Sequence, residues 1–495
     1  MRAYSTADIH SIYSNIVQYA QRKCNDGHYN RALIGIEAAS CWAFNLNMIY
    51  SDDNLEQIIK EIADKNVEMV SIKESKPDRC VLIDSFLIDN RGLSQQYLRA
   101  MMANGMHILV IYTNAGGYIG EDTLAEIEAY DKAEIVTYPR KMDRIEETKE
   151  IVKAIEAFCP AHIFLHLTPW DTIALMACHV IRGVRKYQIN LTDHAYWMGA
   201  SFIDYSLEFR PYGYTVSIEK RGLTPNQLLA LPYYPIAPLS ANFQGFPNMP
   251  QDAIKVFTGG SLYKMLGKKD IFFQIMERIL DVSPNVYILV AGFDTNATFD
   301  AKLSSIKGQE RILQIGVRKD IDAVFENCDI YLGTYPMMGG LMSQYAALHG
   351  KPIIAYHEEG DVMNATEEMV NFNQNEYHSF TNLDDMSEYA SKLVNDQSFR
   401  LSQGKLLQEG MMNAERFNST FIEVITKHQP ITTWKNDSID YDAFFQRYLD
   451  LENQQHTGTE AVCARLKLET LLVFKKHRYL IAKTIFRMVL RKFAW

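Results

Sequence analysis

Several signatures are missing from this 495-residue chain, and each absence narrows what it does. There is no C-x-x-C, and the seven cysteines follow no regular spacing. An odd, scattered set reads as reduced thiols in a cytosol, not as a disulfide framework. Cations are in deficit: 50 Lys and Arg face 60 Asp and Glu, for a formal charge of −10. That balance argues against nucleic acid as a partner of the whole chain. The opening MRAYSTADIHSIYSNIV has no apolar signal core. Nowhere do apolar residues run unbroken for the roughly 18 positions of a membrane span. The expectation is a cytoplasmic protein.

What is present is enough apolar sequence, 47%, for two or three globular domains in a chain of this length. Residues 1–72 read as helical: Ile12, Ile16, Tyr19 and Ala20 recur at helical spacing, as do Leu33, Ile36, Ala39 and Trp42. From Arg79 the texture changes. Short apolar strands (Cys80–Asp84, Ile108–Tyr112, Glu134–Tyr138, Ala161–His166, Lys186–Leu191) alternate with helical stretches, which is the pattern of an α/β domain with a parallel sheet. A further strand is expected at Tyr214–Ser217. This first α/β domain spans 73–235, and the proline-rich stretch 236–252 reads as a linker.

A second α/β domain, 253–428, opens with Ile254–Phe257 and the turn Gly259-Gly260-Ser261. Its most informative stretch is Asp329 to Tyr356: strand Ile330–Leu332, a loop ending in Gly339-Gly340, helix Leu341–Leu348, a stop at Gly350, and strand Ile353–Ile354. Glycines let a backbone approach a ligand closely, and the helix behind them offers unpaired N–H groups. Such a turn suits a phosphate or diphosphate; a plain structural βα turn gives the same lettering.

The residues Asp329, Leu332, Thr334, Pro336, Gly339 and Gly340 write D-x-x-L-x-T-x-P-x-x-G-G, and the helix ends in G-K-P. This resembles the donor-diphosphate segment of the GT-B glycosyltransferases, family 4-like and O-GlcNAc-transferase-like members among them. The resemblance implies a fold of two Rossmann-like domains facing a cleft. It further implies a nucleotide-sugar held by the second domain as substrate, no cofactor, and no metal. Where many relatives carry two carboxylates, this chain has Met337 and Tyr345, so Ser343 or Gln344 would replace one contact, beside Leu341. The family's glycine–lysine loop has a counterpart from Gly260 to Asp270, which nominates Lys264 or Lys268 at the diphosphate; Val317 and Arg318 stand where relatives hold the base.

On the first domain, two strand ends carry His166 and the run Asp193-His194, with Trp170, Trp197 and Arg210 nearby in sequence. Histidine titrates near neutrality and can take a hydroxyl proton, so His194 is the first candidate base, with Asp193 and His166 next. The tryptophans and Arg210 are candidates for the acceptor. Asp320 is read as the cap of the following helix, not as part of a metal-binding D-x-D.

The extension 429–495 ends in a basic tail: from residue 464 it holds nine Lys or Arg and one acid. Lys483, Arg487 and Arg491 share one helical face; Ile481, Ile485, Met488 and Phe493 fill much of the other, with Trp495 last. That reads as an amphipathic helix on an acidic membrane surface, placing the protein at the inner face. The combined expectation is a glycosyltransferase, hexosyl- or N-acetylhexosaminyl-specific, acting on a growing lipid-linked glycan. The alternatives are a non-catalytic GT-B-like subunit and a nucleotide-sugar 2-epimerase.

Overall fold

A computed structural model describes residues 3–493 apart from 90–91, 115–116, 139–142, 237–241, 363, 372–376, 431–433 and 435–437; the side chains of 268 and 489–493 also lie outside the description. The chain forms two compact units: Met1–Leu231 with Asn418–Trp495, and Pro232–Phe417.

The first unit begins with helices Thr6–Asn25, Tyr29–Leu46 and Asp53–Asn66. A reciprocal Ser5–Asp8 capping box starts the first. Its apolar stripe, Ile9, Ile12, Ile16 and Tyr19, meets Leu33, Ile36 and Ala39 of the second in the common core. A methyl on Gly35 would lie 2.9 Å from the Tyr19 ring, so glycine sets the distance between the two helices. Trp42 is fully buried, donates its indole N–H to the Ile9 carbonyl, and meets the rings of Tyr4 and Phe474. The amino-terminal helices and the carboxyl-terminal tail therefore share one hydrophobic core with the sheet.

The strands are β1 (Val70–Ser71), β2 (Lys76–Asp84), β3 (His107–Tyr112), β4 (Ala133–Thr137), β5 (Pro160–His166), β6 (Ile181–Arg182), β7 (Arg185–Ile189), β8 (Tyr205–Glu208) and β9 (Leu228–Ala230). Seven pair in parallel in the order β4-β3-β2-β5-β7-β8-β9, while β1 and β6 pair apart. Residues 80–84 of β2 are all buried, as expected of a parallel strand covered on both faces. The strand expected at Tyr214–Ser217 is instead inside helix Pro211–Arg221, which has proline in its first turn and left-handed Gly222 as its stop. Thr215 and Ser217 are accommodated there because their hydroxyls bond the Pro211 carbonyl and Glu208, a tertiary override of β propensity.

The second unit holds β10 (Ile254–Gly259), β11 (Val286–Ala291), β12 (Ile312–Gln314), β13 (Ile330–Leu332) and β14 (Ile353–Ile354), all parallel, in the order β12-β11-β10-β13-β14. Helix Ile271–Val282 buries Phe272, Ile275, Met276 and Ile279 beneath it. Both units are thus doubly wound, Rossmann-like folds, each with one point where the strand order reverses.

The tail departs from expectation. Helix Arg478–Phe493 sends Leu480, Ile481 and Thr484 into the core, with Ile485 and Met488 packed against it. The apolar face assigned to a membrane is therefore an inner face. The side chains of Arg491 and Phe493, and all of Trp495, fall outside the described residues.

Gly404, on helix Gln397–Gly410, touches the carboxyl-terminal stop of helix Gly340–Leu348. A Cβ there would lie 1.8 Å from the Gly350 carbonyl oxygen. The expected outcome for Gly404→Ala is overpacking worth about 1–3 kcal/mol, read by calorimetry as a lowered unfolding midpoint for the second unit. An unchanged midpoint would contradict this packing.

Candidate functional site

In the second unit the strand order reverses between β10 and β13, and both strands end in glycine turns. Pairing of Val256 with Ile330 and Phe257 with Tyr331 is parallel, so both turns leave the carboxyl edge of the sheet side by side. Open α/β sheets bind ligands at such a switch point. Lys264 ties the turns together: its Nζ donates to the Met338 carbonyl at 3.4 Å, and a Cβ on Gly260 would lie 3.4 Å from its Cδ. Thr334 donates to the Met337 carbonyl at 2.7 Å, fixing the second loop. Gly292, at φ +109°, packs so tightly on the first turn that a Cβ would lie 2.3 Å from the Gly260 carbonyl oxygen. Helix Gly340–Leu348 starts with no side-chain cap, which leaves its first amides for a ligand.

Burial pushes the Lys264 ammonium below its ordinary value, and among the described residues no carboxylate pairs with it. A desolvated cation met only by a carbonyl is costly, and a bound anion would offset that cost. Gln344 is fully buried with neither amide atom bonded, and Ser343 is buried beside it; Leu341 is half-buried. Gly259, Gly260, Ser261, Lys264, Gly339 and Gly340 are therefore brought together.

Other expected donor residues are not free. Arg318 is 4% exposed, forks onto Asp320, donates to the Gly245 carbonyl and lies against Phe243 and Phe246. Its guanidinium is a structural clamp, while Val317 beside it is exposed. Asp320 holds the N-cap position of helix Ile321–Asn327, as its sequence reading expects, but its carboxylate is taken by Arg318 and the Gln244 amide and makes no side-chain cap bond. Tyr345 is buried with its hydroxyl on the Ile236 carbonyl. The Lys268 side chain lies outside the described residues.

The first unit reverses its strand order between β2 and β5. A cavity of about 430 Å3 opens there, lined by Ser85, Thr113 and Thr168 from the strand ends, with Trp170, Asp171, Glu147, Glu37, Arg144 and Arg465. Asp171 caps helix Thr172–Val180 and accepts from Ser85 and Thr113; Arg144 forks onto Glu37 at 2.5 and 2.9 Å. Glu147 differs: it is 3% exposed and its Oε1 has no partner. Burial first, then the neighbouring Asp171 charge, pushes its carboxyl up to about 7, with Arg144 opposing. A perturbed carboxyl in a switch-point cavity marks a candidate ligand site. Sequence reading missed it, because an acid in a helix's first turn is ordinary and only the fold reveals its burial.

His194 is partly exposed, and its Nδ1 lies 3.2 Å from Asp193. Asp193 is itself gripped by Arg210 at 2.5 and 3.0 Å. Burial alone would raise the Asp193 carboxyl, but Arg210 and the hydrogen bonds from His194 and Arg210 hold it at about 2. Asp193 is therefore a positioning group, not a base. It holds the His194 ring with Nδ1 turned inward. Three expectations need correction. His166 is fully buried, its Nδ1 bonded to Asp84 at 2.9 Å and Ser94 at 3.2 Å, so it cannot reach a substrate. Arg210 serves Asp193 instead of an acceptor. Trp197 is 2% exposed beneath Arg221, while Trp170 lines the cavity.

No protein-family model and no curated protein sequence matches the chain. Among solved structures, a glycosyltransferase from Rickettsia africae superposes with a TM-score of 0.51 at 11% identity, over 71% of this chain and 98% of that one. The chain has the GT-B fold. An O-GlcNAc transferase mutant from Thermobaculum terrenum scores 0.49 at 13% identity over 89% of this chain and 83% of its own. Anabaena HepE with UDP and glucose scores 0.47 at 10% over 70% and 99%. These last two are too distant to carry weight. A GT-B architecture agrees with the two doubly wound sheets, and it leaves the activity to be argued from the residues.

The raised Glu147 carboxyl gives a pH signature. Its folded value lies above its ordinary 4.5, so the native state holds the proton longer, and stability falls as pH rises from about 4.5 to 7, then levels. Glu147→Gln is expected to flatten that slope in thermal-shift scans. An unaltered slope would mean that the carboxyl is not buried as described.

Proposed function

We propose that the protein is a glycosyltransferase that moves a hexosyl or N-acetylhexosaminyl group from a nucleotide-sugar to a growing, lipid-linked glycan of the surface-polysaccharide type. One observation carries this reading: two glycine turns meet at the switch point of the second sheet around a half-buried Lys264 that no carboxylate among the described residues pairs. Departure of a nucleoside diphosphate builds negative charge on its phosphate oxygens. Lys264 and the first amides of helix Gly340–Leu348 would neutralise that charge in place of a metal.

The acceptor half belongs to the first unit. A hydroxyl-bearing acceptor suits the polar cavity beside Glu147, whose carboxyl at about 7 can hold or release a proton near neutrality. His194, oriented by Asp193 and Arg210, is the second candidate base. Either would deprotonate the attacking hydroxyl while the anomeric carbon loses its diphosphate. The site of action is the cytoplasmic face of the membrane, where both the soluble donor and a lipid-linked acceptor are available.

The test is a donor screen that reads released nucleoside diphosphate with and without lipid-linked acceptors, beside calorimetric donor binding. The reading expects acceptor-dependent release. It expects Lys264→Ala to weaken donor binding by about 10- to 100-fold, the worth of one hydrogen bond to a charged group. Free epimer from nucleotide-sugar alone would point to an epimerase. No donor binding at millimolar concentration would point to a non-catalytic subunit, a role the Met337 and Tyr345 positions also allow.

A further inference from the structure

Helix Arg478–Phe493 is anchored by its inner side, and this makes its outer side unusual. Tyr479 is 81% exposed and Phe486 62%, two of the most exposed large apolar side chains described. They stand seven residues apart, two turns on one helical stripe, with exposed Ala482 and Lys483 between them. Arg478 shares this side, and exposed Lys475 and Lys476 precede it in the turn before the helix. Among the described residues none of these four cations has a carboxylate partner: Lys475 reaches the Asn15 amide oxygen and Arg478 the Leu471 carbonyl. Glu469, the tail's one acid, is engaged by Arg31 and Tyr19. Upstream, Leu468 is 72% exposed and Leu472 53%.

Exposed aromatics between unpaired cations have little reason to exist on a water-facing helix. Packing does not need them, since Leu480, Ile481 and Thr484 already fasten the helix. A folded acidic partner protein would need charge but not two rings standing free of any groove. A bilayer needs both, aromatic rings at the headgroup level and cations against anionic headgroups. Among the described residues no helix is long and apolar enough to cross a membrane, so the contact would lie on the surface.

We infer that the outer face of this helix, Tyr479, Lys483 and Phe486 with Lys475, Lys476 and Arg478, docks the protein on an anionic lipid surface. This is the face opposite the one that amphipathicity alone nominates. Docking needs no nucleotide-sugar and no acceptor, so it stands apart from the catalytic reading.

The experiment is co-sedimentation of the full chain with phosphatidylcholine vesicles, with and without phosphatidylglycerol. Binding is expected only to the anionic vesicles and to weaken as salt rises. The double variants Tyr479→Ser/Phe486→Ser and Lys475→Glu/Lys476→Glu should each weaken it by about tenfold or more. Because all four side chains are exposed, the unfolding midpoint should stay unchanged, and donor binding should too. Ile481→Ser, on the inner face, should lower the midpoint instead. Absence of binding to anionic vesicles, or equal binding by the double variants, would overturn the inference. So would a dimer in solution that the Tyr479→Ser/Phe486→Ser variant abolishes, if the wild type leaves vesicles alone.

Discussion

A half-buried ammonium group with no carboxylate partner among the described residues is the constraint around which the second unit is arranged. Lys264 sits there because the chain leaves β10 through glycines and turns at once into a short helix, Leu262–Lys264. It stays because the loop after β13 reaches across and offers a carbonyl. Glycine is required where Gly292 meets the Gly260 carbonyl, and it eases the approach of Gly267 to the Pro336 ring, where a Cβ would come to 3.0 Å. The strand order does the rest. Only neighbours at a reversal point can send both of their following loops to the same place without a helix in between.

The first unit applies the same topology around a buried carboxyl instead of an ammonium group. At its reversal the strand ends supply hydroxyls, and those hydroxyls are consumed by Asp171. One carboxyl, Glu147, is left buried with its Oε1 unbonded. The neighbouring Asp193–His194–Arg210 group is built differently, with a salt-bridged carboxylate fixing a partly exposed imidazole. The Glu147 carboxyl owes its state to burial and neighbours, and the His194 ring owes its orientation to a salt-bridged carboxylate.

Much of this could be read from the sequence where the signal is local. Short apolar runs gave most of the parallel strands and their order of appearance, and the P-x-x-G-G turn marked the loop that meets Lys264 at the switch point, because periodicity and backbone freedom are local properties. What failed was tertiary. Thr215, Val216 and Ser217 look like strand residues, yet the hydroxyls of Thr215 and Ser217 find helical and side-chain partners. Arg318, Arg210 and His166 look like site residues, but each has an acid partner that sequence does not reveal. Helical periodicity found the two sides of the tail helix and could not say which one is inside; only the packing of Ile481 and Ile485 on the common core decides that.

The central claim, that the glycine turns around Lys264 hold a diphosphate, is most directly tested by amide hydrogen exchange with and without saturating nucleoside diphosphate, across a panel of bases. Slowed exchange confined to residues 259–264 and 338–343 is the predicted result. Protection elsewhere with none in those two segments, or no change with any nucleotide, would contradict it.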